Sequence, residues 1–221
     1  MGSQMIQIIV LAGIALFLIL RLRNVLGTRE GYEKPTEVPG TVAPRRGDRS
    51  FEVIDGGGPD LDIADFADPE SDTGKALSAM KRADRRFGVA EFSHGARQAY
   101  EMIVMAYETG DLDTLRQFLS PDVFESFAAA ITARDQKGYK VEASFAGVRE
   151  VKLIEARFDP ATSEADVTMR FLGELTSVVR DAEGRIVEGS PTELKQQRDV
   201  WTFTRTMTSD NPNWQLTGTG G

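Results

Sequence analysis

The chain has 221 residues, 41% of them hydrophobic and 27% charged, which is close to globular averages and enough for one domain with extensions. It has no cysteine and a single histidine, His94, which excludes a disulfide framework, cysteine nucleophiles, thiolate metal sites and any multi-histidine metal centre. The net charge of −8 argues against nucleic-acid binding, because neutralising phosphates needs clustered Lys and Arg.

The first element is Met5 to Leu20, an apolar run whose only polar side chain is Gln7. With Leu22 it forms a transmembrane anchor over residues 5–22, near the roughly 17–20 apolar residues that a bilayer requires. Ile6, Ile9, Leu16, Phe17 and Leu20 are its lipid-facing bulk, and Arg21 and Arg23 can reach the interface. A secretory signal fits less well, since no basic residue precedes the run and no small-residue cleavage site follows it. Arg21, Arg23 and Arg29 on the C-terminal flank predict the N-terminus outside and the bulk of the chain in the cytoplasm.

Residues 23–73 read as a flexible acidic linker. They hold five prolines (Pro35, Pro39, Pro44, Pro59, Pro69) and the triplet Gly56-Gly57-Gly58, which lacks the helix and Lys of a phosphate loop. From Asp48 to Asp72 there are nine acids (Asp48, Glu52, Asp55, Asp60, Asp62, Asp65, Asp68, Glu70, Asp72) against Arg49. That is −8, so the whole net charge of the chain sits here. Phe51, Val53, Ile54, Leu61, Ile63 and Phe66 are scattered among these acids. They are either solvated linker hydrophobes or a short motif that folds on a partner.

Residues 74–89 are predicted to hold a basic amphipathic helix from Gly74 to Phe87. Ala76, Leu77, Met80, Ala83 and Phe87 fall on one arc, and Lys75, Lys81, Arg82, Arg85 and Arg86 on the other. The apolar stripe either packs on the following domain or lies on anionic lipid, where each base adds about 1 kcal/mol.

Residues 90–221 form the main domain. Ser93 is placed as the cap of a helix through Ala96, Ala99, Tyr100, Ile103, Val104 and Tyr107, ended by Gly110. Asp111 starts a short helix through Leu119, and Ser120-Pro121 starts another through Val123, Phe124, Phe127 and Ile131. After Gly138 the period becomes two. Val141, Ala143 and Phe145 alternate, as do Val151 and Leu153, then Ala156 and Phe158 after a slip at Ile154. Val167, Met169 and Phe171, then Val200, Trp201 and Phe203, then Trp214 and Leu216 follow, with turns at Asp159-Pro160 and Asp181–Gly184. Helices first and antiparallel strands afterwards predict an α+β fold, with N-terminal helices packed on a curved antiparallel sheet.

No residue pattern points to catalysis. His94 lacks an evident orienting partner and reads as a surface or capping histidine. Asp199 beside Trp201 and Arg205 could face a pocket. The simpler reading is strand alternation, with Trp201 and Phe203 on one face and Val200, Thr202 and Thr204 on the other. Arg97 and Glu101, four apart, are expected to pair on a helix surface.

The ordered set Gly95-Ala96-Arg97, Ala99-Tyr100-Glu101, Ile103-Val104, Gly110-Asp111, Leu119-Ser120-Pro121-Asp122-Val123, Phe127, Asp199–Arg205 and Asn213–Leu216 resembles the C-terminal domain of the mitochondrial inner-membrane translocase subunit 44 family, the import-motor anchor, and its bacterial homologues. The resemblance covers about Phe87 to Leu216, and Leu22 to Arg29 is similar to bacterial members that begin with an anchor. It implies an NTF2-like fold with a large pocket between helices and sheet. It also implies contact with anionic lipid, especially cardiolipin, through amphipathic helices at the start of the domain. Leu77, Met80, Lys81, Arg82, Arg85, Arg86 and Phe87 occupy that place, as candidate lipid-binding residues.

The long N-terminal half of the mitochondrial protein has no counterpart here, so import-motor activity is not implied. The expected function is a non-enzymatic adaptor without cofactor, at the cytoplasmic face of a bacterial inner membrane. It would bind anionic phospholipid and an unidentified protein partner, and no nucleic acid. The alternative is a membrane-bound enzyme or small-ligand binder using the pocket. A buried polar constellation would favour that alternative, and an apolar pocket the adaptor.

Overall fold

A computed structural model describes Asp60 to Gly220. The anchor at 5–22, the linker up to Pro59 and the triplet Gly56-Gly57-Gly58 lie outside the described residues. Among the described residues, no helix is long and apolar enough to cross a membrane.

Five helices come first: α1 (Leu61–Ala64), α2 (Asp72–Ala83), α3 (Val89–Thr109), α4 (Leu112–Phe118) and α5 (Pro121–Gln136). Four strands follow: β1 (Lys140–Asp159), β2 (Glu164–Arg180), β3 (Ile186–Thr206) and β4 (Gln215–Gly220). They form one antiparallel sheet in the order β1-β2-β3-β4, so each strand pairs with its neighbour in sequence. The α+β layout read from the change of period is therefore observed.

The core lies where α2 and α3 meet the inner face of the sheet. On β2 that face carries Ala165, Val167, Met169, Phe171 and Leu175, all nearly inaccessible, in strict alternation. Tyr100 of α3 stacks on Phe171 with ring centroids 4.5 Å apart. β1 has register irregularities between Phe145 and Gly147, between Val148 and Glu150, and between Leu153 and Glu155. The last is the slip at Ile154, where an extra residue bends the strand and restores the apolar face.

Several helix ends follow their local chemistry. Gly110 adopts φ 77° to close α3, a conformation that disfavours a Cβ. Asp111 caps α4 by accepting the Thr114 N–H at 3.0 Å, and Pro121 opens α5.

Three boundaries differ from the sequence reading. First, residues 60–73 of the expected linker are folded. Ile63 is 1% exposed in the core and Phe66 packs against it, so these hydrophobes fold on the chain's own domain. Burying Ile63 contributes about 1.5–3 kcal/mol to holding this short helix against its domain, beside the packing of Phe66 and the contacts of Asp62. Second, the basic helix does not reach Phe87. α2 ends at Ala83 and Asp84 turns to an extended backbone, because its carboxylate accepts from the Arg86 N–H at 2.9 Å and from Arg205 Nη2 at 2.7 Å. Third, Ser93 is inside α3 and does not cap it. The helix starts a turn earlier at Val89, whose N–H is taken by the distant Asp62.

Candidate functional site

The residues predicted to meet lipid divide sharply. Leu77 and Met80 are fully buried and Phe87 is 6% exposed, all three within the core cluster. That corrects their assignment as a lipid-facing stripe: the sheet already covers the apolar arc. Lys81 is held by Asp60 at 2.7 Å and Asp62 at 2.9 Å. Arg86 is exposed and paired with Asp84 at 3.1 Å. Arg82 and Arg85 are exposed. Arg82 joins Lys75 and Arg157 on the rim of a shallow groove between α2 and the end of β1, whose floor includes Ala76, Ala79, Ala156 and Phe158.

A first cleft of about 570 Å³ opens between the start of α3, α4 and the strand ends. Its wall is aromatic. Trp214 meets Phe92 at 4.7 Å and Phe87 at 5.8 Å between centroids, and Phe92 meets Phe203 at 6.0 Å. At its base lies the ion pair of Asp84 and Arg205, with each side chain 6% exposed. Arg205 Nε also donates to the Asn211 carbonyl at 3.2 Å, which fastens the loop before Trp214. Hydrogen bonds from the Arg86 side chain and backbone hold the Asp84 carboxyl down at about 2 against burial, and Arg205 adds to them. Gly95 lies on the rim, where a Cβ would meet nothing within 4 Å.

A second cleft of about 520 Å³ lies between α3, α5 and the β3–β4 edge, lined by Ile103, Val104, Tyr107, Phe127 and Trp201. Asp199 faces it and accepts the Tyr100 hydroxyl at 2.7 Å. Burial and then the neighbouring carboxylate push the Tyr100 phenol far above its ordinary range, so it remains a neutral donor. Strand alternation and a pocket-facing Asp199 therefore both hold: Asp199, Trp201, Phe203 and Arg205 share the inner face, while Val200, Thr202 and Thr204 take the other.

His94 is exposed on α3. Arg97 does not pair with Glu101; its Nη2 donates to the Val148 carbonyl at 3.1 Å, because a bulge in β1 brings that oxygen within reach. Among the described residues, no three acidic or histidine side chains are placed to share a metal ion. Sequence reasoning missed the Asp84–Arg205 pair and the Asp62 cap, whose partners lie 121 and 27 residues away. The one available signal was Asp84 itself, a lone acid at the edge of an apolar helical arc.

A family model described as the Tim44-like domain matches residues 73–221. Among characterised proteins, the mitochondrial import inner membrane translocase subunit TIM44-1 of Arabidopsis thaliana is 22% identical over 153 residues. That match spans 66% of this chain but only 32% of the relative's length. Among solved structures, the intermembrane space region of chloroplast protein ARC6 overlays with a TM-score of 0.40 and 10% identity, covering 59% of this chain and 92% of that one. So loose an overlay carries no argument about this fold.

Proposed function

The chain belongs to the Tim44-like domain family, and from that premise we propose that it is a membrane-associated adaptor in protein transport. In this reading residues 5–22 anchor it in a bacterial inner membrane with the N-terminus outside, and the domain recruits a protein partner on the cytoplasmic side. The observation that carries the reading is that the polar groups deep in both clefts satisfy one another. Asp84 is bound to Arg205 and Tyr100 to Asp199, and the surrounding walls are aromatic and aliphatic. Such clefts suit binding better than acid–base or nucleophilic chemistry, which needs a group free to exchange a proton.

Lipid contact takes a different form from the inserted stripe expected earlier. With Leu77, Met80 and Phe87 in the core, anionic headgroups meet Arg82, Arg85 and Arg86 electrostatically, and the groove rimmed by Lys75, Arg82 and Arg157 lies beside them. No apolar face has to leave the protein for this contact.

Flotation of residues 58–221 with vesicles tests the lipid half of the reading. Binding should require anionic lipid, fall with salt, and weaken when Arg82, Arg85 and Arg86 are changed to Gln. Equal flotation with neutral vesicles would refute it. Crosslinking of the full chain in native membranes, read by mass spectrometry, tests recruitment; the absence of any reproducible protein adduct would remove the adaptor.

A further inference from the structure

Arg205, at the base of the first cleft, is only partly used by the fold. Its Nε donates to the Asn211 carbonyl at 3.2 Å and its Nη2 to Asp84 Oδ2 at 2.7 Å. Nη1 has no partner among the described residues, although the side chain is only 6% exposed. Every sealed polar side-chain atom of those residues is bonded, so Nη1 is not sealed, and the space that Arg205 lines is this cleft. Asp84 has little left to offer it. Its Oδ1 accepts from the Arg86 N–H at 2.9 Å and from Arg86 Nε at 3.1 Å, and its Oδ2 is held by Arg205 Nη2. A guanidinium brings five N–H groups, so the base of the cleft has donors in excess of acceptors.

Charge and shape narrow what would meet that donor. The charged residues of the lining are two acids, Asp84 and Glu91, and two bases, Arg86 and Arg205. An ionic ligand would therefore give up its hydration without finding an opposite net charge, whereas a neutral acceptor loses far less. On the α3 side the wall is made of Gly95, Ala96 and Ala99, which carry little bulk. Facing it are the aromatic rings of Phe118, Phe203 and Trp214. Trp214 and Phe203 both meet Phe92 edge to face, at 4.7 and 6.0 Å between centroids. The space between a low helix face and an aromatic wall suits a flat ring system, which gains ring contacts beyond the area it buries. A saturated chain would bury area as well, but it would cover Nη1 without giving it an acceptor.

The volume of about 570 Å³ falls within the range of small-molecule sites, about 300–1,000 Å³. We propose that the first cleft binds a neutral, flat aromatic ketone, or a quinone of the same chemistry, with its rings between α3 and Trp214 and its carbonyl accepting from Arg205 Nη1. Arg205 thereby has two tasks. Through Nε and Nη2 it fixes the loop before Trp214 and the turn at Asp84, and through Nη1 it selects for an acceptor. This goes beyond the adaptor reading and does not depend on it.

The probe is benzophenone, a neutral diaryl ketone that crosslinks on illumination, applied to the full chain in phospholipid nanodiscs. Peptide mapping by mass spectrometry should find saturable labelling at residues 84–99, 117–118 and 203–214. The competitors are fluorenone, fluorene, which has the same ring system without the carbonyl, and a fluorenone carboxylate, each corrected for its measured partition into the bilayer. Fluorenone should compete about tenfold better than fluorene, the worth of one hydrogen bond to a charged donor, and better than the carboxylate. Gly95→Leu, which fills the α3 wall, should lower the saturable labelling severalfold without lowering the melting temperature. Arg205→Met should erase the preference for ketone over hydrocarbon; if that variant does not fold, Gly95→Leu and the competitor pair still decide. Fluorene or the carboxylate competing as well as fluorenone overturns the proposal. So does palmitate competing better than fluorenone, which would assign the cleft to an acyl chain, and so does labelling that never saturates or that Gly95→Leu leaves unchanged.

Discussion

The Asp62 carboxylate caps a helix that begins at Val89: Oδ2 accepts the Val89 N–H and Oδ1 the Ala90 N–H, each at 2.8 Å. Gly88, the residue at the cap position, has no side chain to do this. Lys81 of α2 closes the arrangement at 2.9 Å, so one carboxylate joins α1, α2 and α3. The segment nearest the proposed tether is thereby fastened to the longest helix of the domain.

Asp62→Ala should cost about 1–2 kcal/mol, the upper part of the range for a lost cap, because Lys81 loses a partner as well. Urea unfolding at neutral pH measures it, and Asp62→Asn should recover part of the loss. Burial pushes the Asp62 pKa up, but Lys81 and the Ala90 and Val89 N–H groups outweigh it and hold the carboxyl below its ordinary value. A lowered folded-state pKa means that the contribution is complete above the unfolded value near 4 and fades as pH falls through the folded one.

The Asp84–Arg205 pair should be more costly to break. Replacing Asp84 by a neutral residue leaves Arg205 buried without its carboxylate, at about 3–5 kcal/mol, whereas replacing Arg205 should cost less because Arg86 still pairs with Asp84. The Asp84 carboxyl lies at about 2, so its contribution is present above about pH 4 and is lost progressively between pH 4 and pH 2. Acid titration followed by Trp fluorescence should therefore show a shallower loss of stability over that window for Asp84→Asn than for the parent chain.

Two glycines should respond in opposite directions. Gly95 sits within α3 with open space at its Cβ position, so Gly95→Ala should stabilise by up to about 1 kcal/mol through helix propensity. Gly95→Leu would keep the fold and narrow the first cleft. At Gly173 a Cβ would fall 2.7 Å from the Tyr100 hydroxyl oxygen, against a ring packed on Phe171. Gly173→Ala should destabilise by about 1–3 kcal/mol, the usual cost of overpacking. Thermal unfolding of the three variants decides the matter.

The domain should tolerate a start at residue 58 and not at residue 74. The shorter fragment lacks Ile63, Phe66 and the Asp62 cap, and leaves Lys81 without Asp60 and Asp62. Near-UV circular dichroism of the two fragments compares them directly. A cooperative, equally stable 74–221 would show that α1 is dispensable.

Much of the fold was legible because its signals are local. The period of two on β2, the bulge at Ile154, the αL glycine at 110 and the Asp111 and Pro121 helix starts all depend on neighbours in sequence. Residues 60–73 misled because composition averages over a window. A window rich in Asp, Gly and Pro hides the buried Ile63, the packed Phe66 and the capping Asp62, whose partners all lie outside the window.

The sequence by itself determined the α+β order of elements, the amphipathic arc of α2 and the alternation that turns Trp201 and Phe203 inward, since periodicity requires each of these. It left open whether the arc of Leu77 and Met80 met lipid or protein, because a period specifies a face and not what covers it. Only the tertiary structure decided that, by placing the arc in the core and joining Asp84 to Arg205 and Tyr100 to Asp199. Contacts across such separations depend on how the sheet folds back over the helices, which no local pattern encodes.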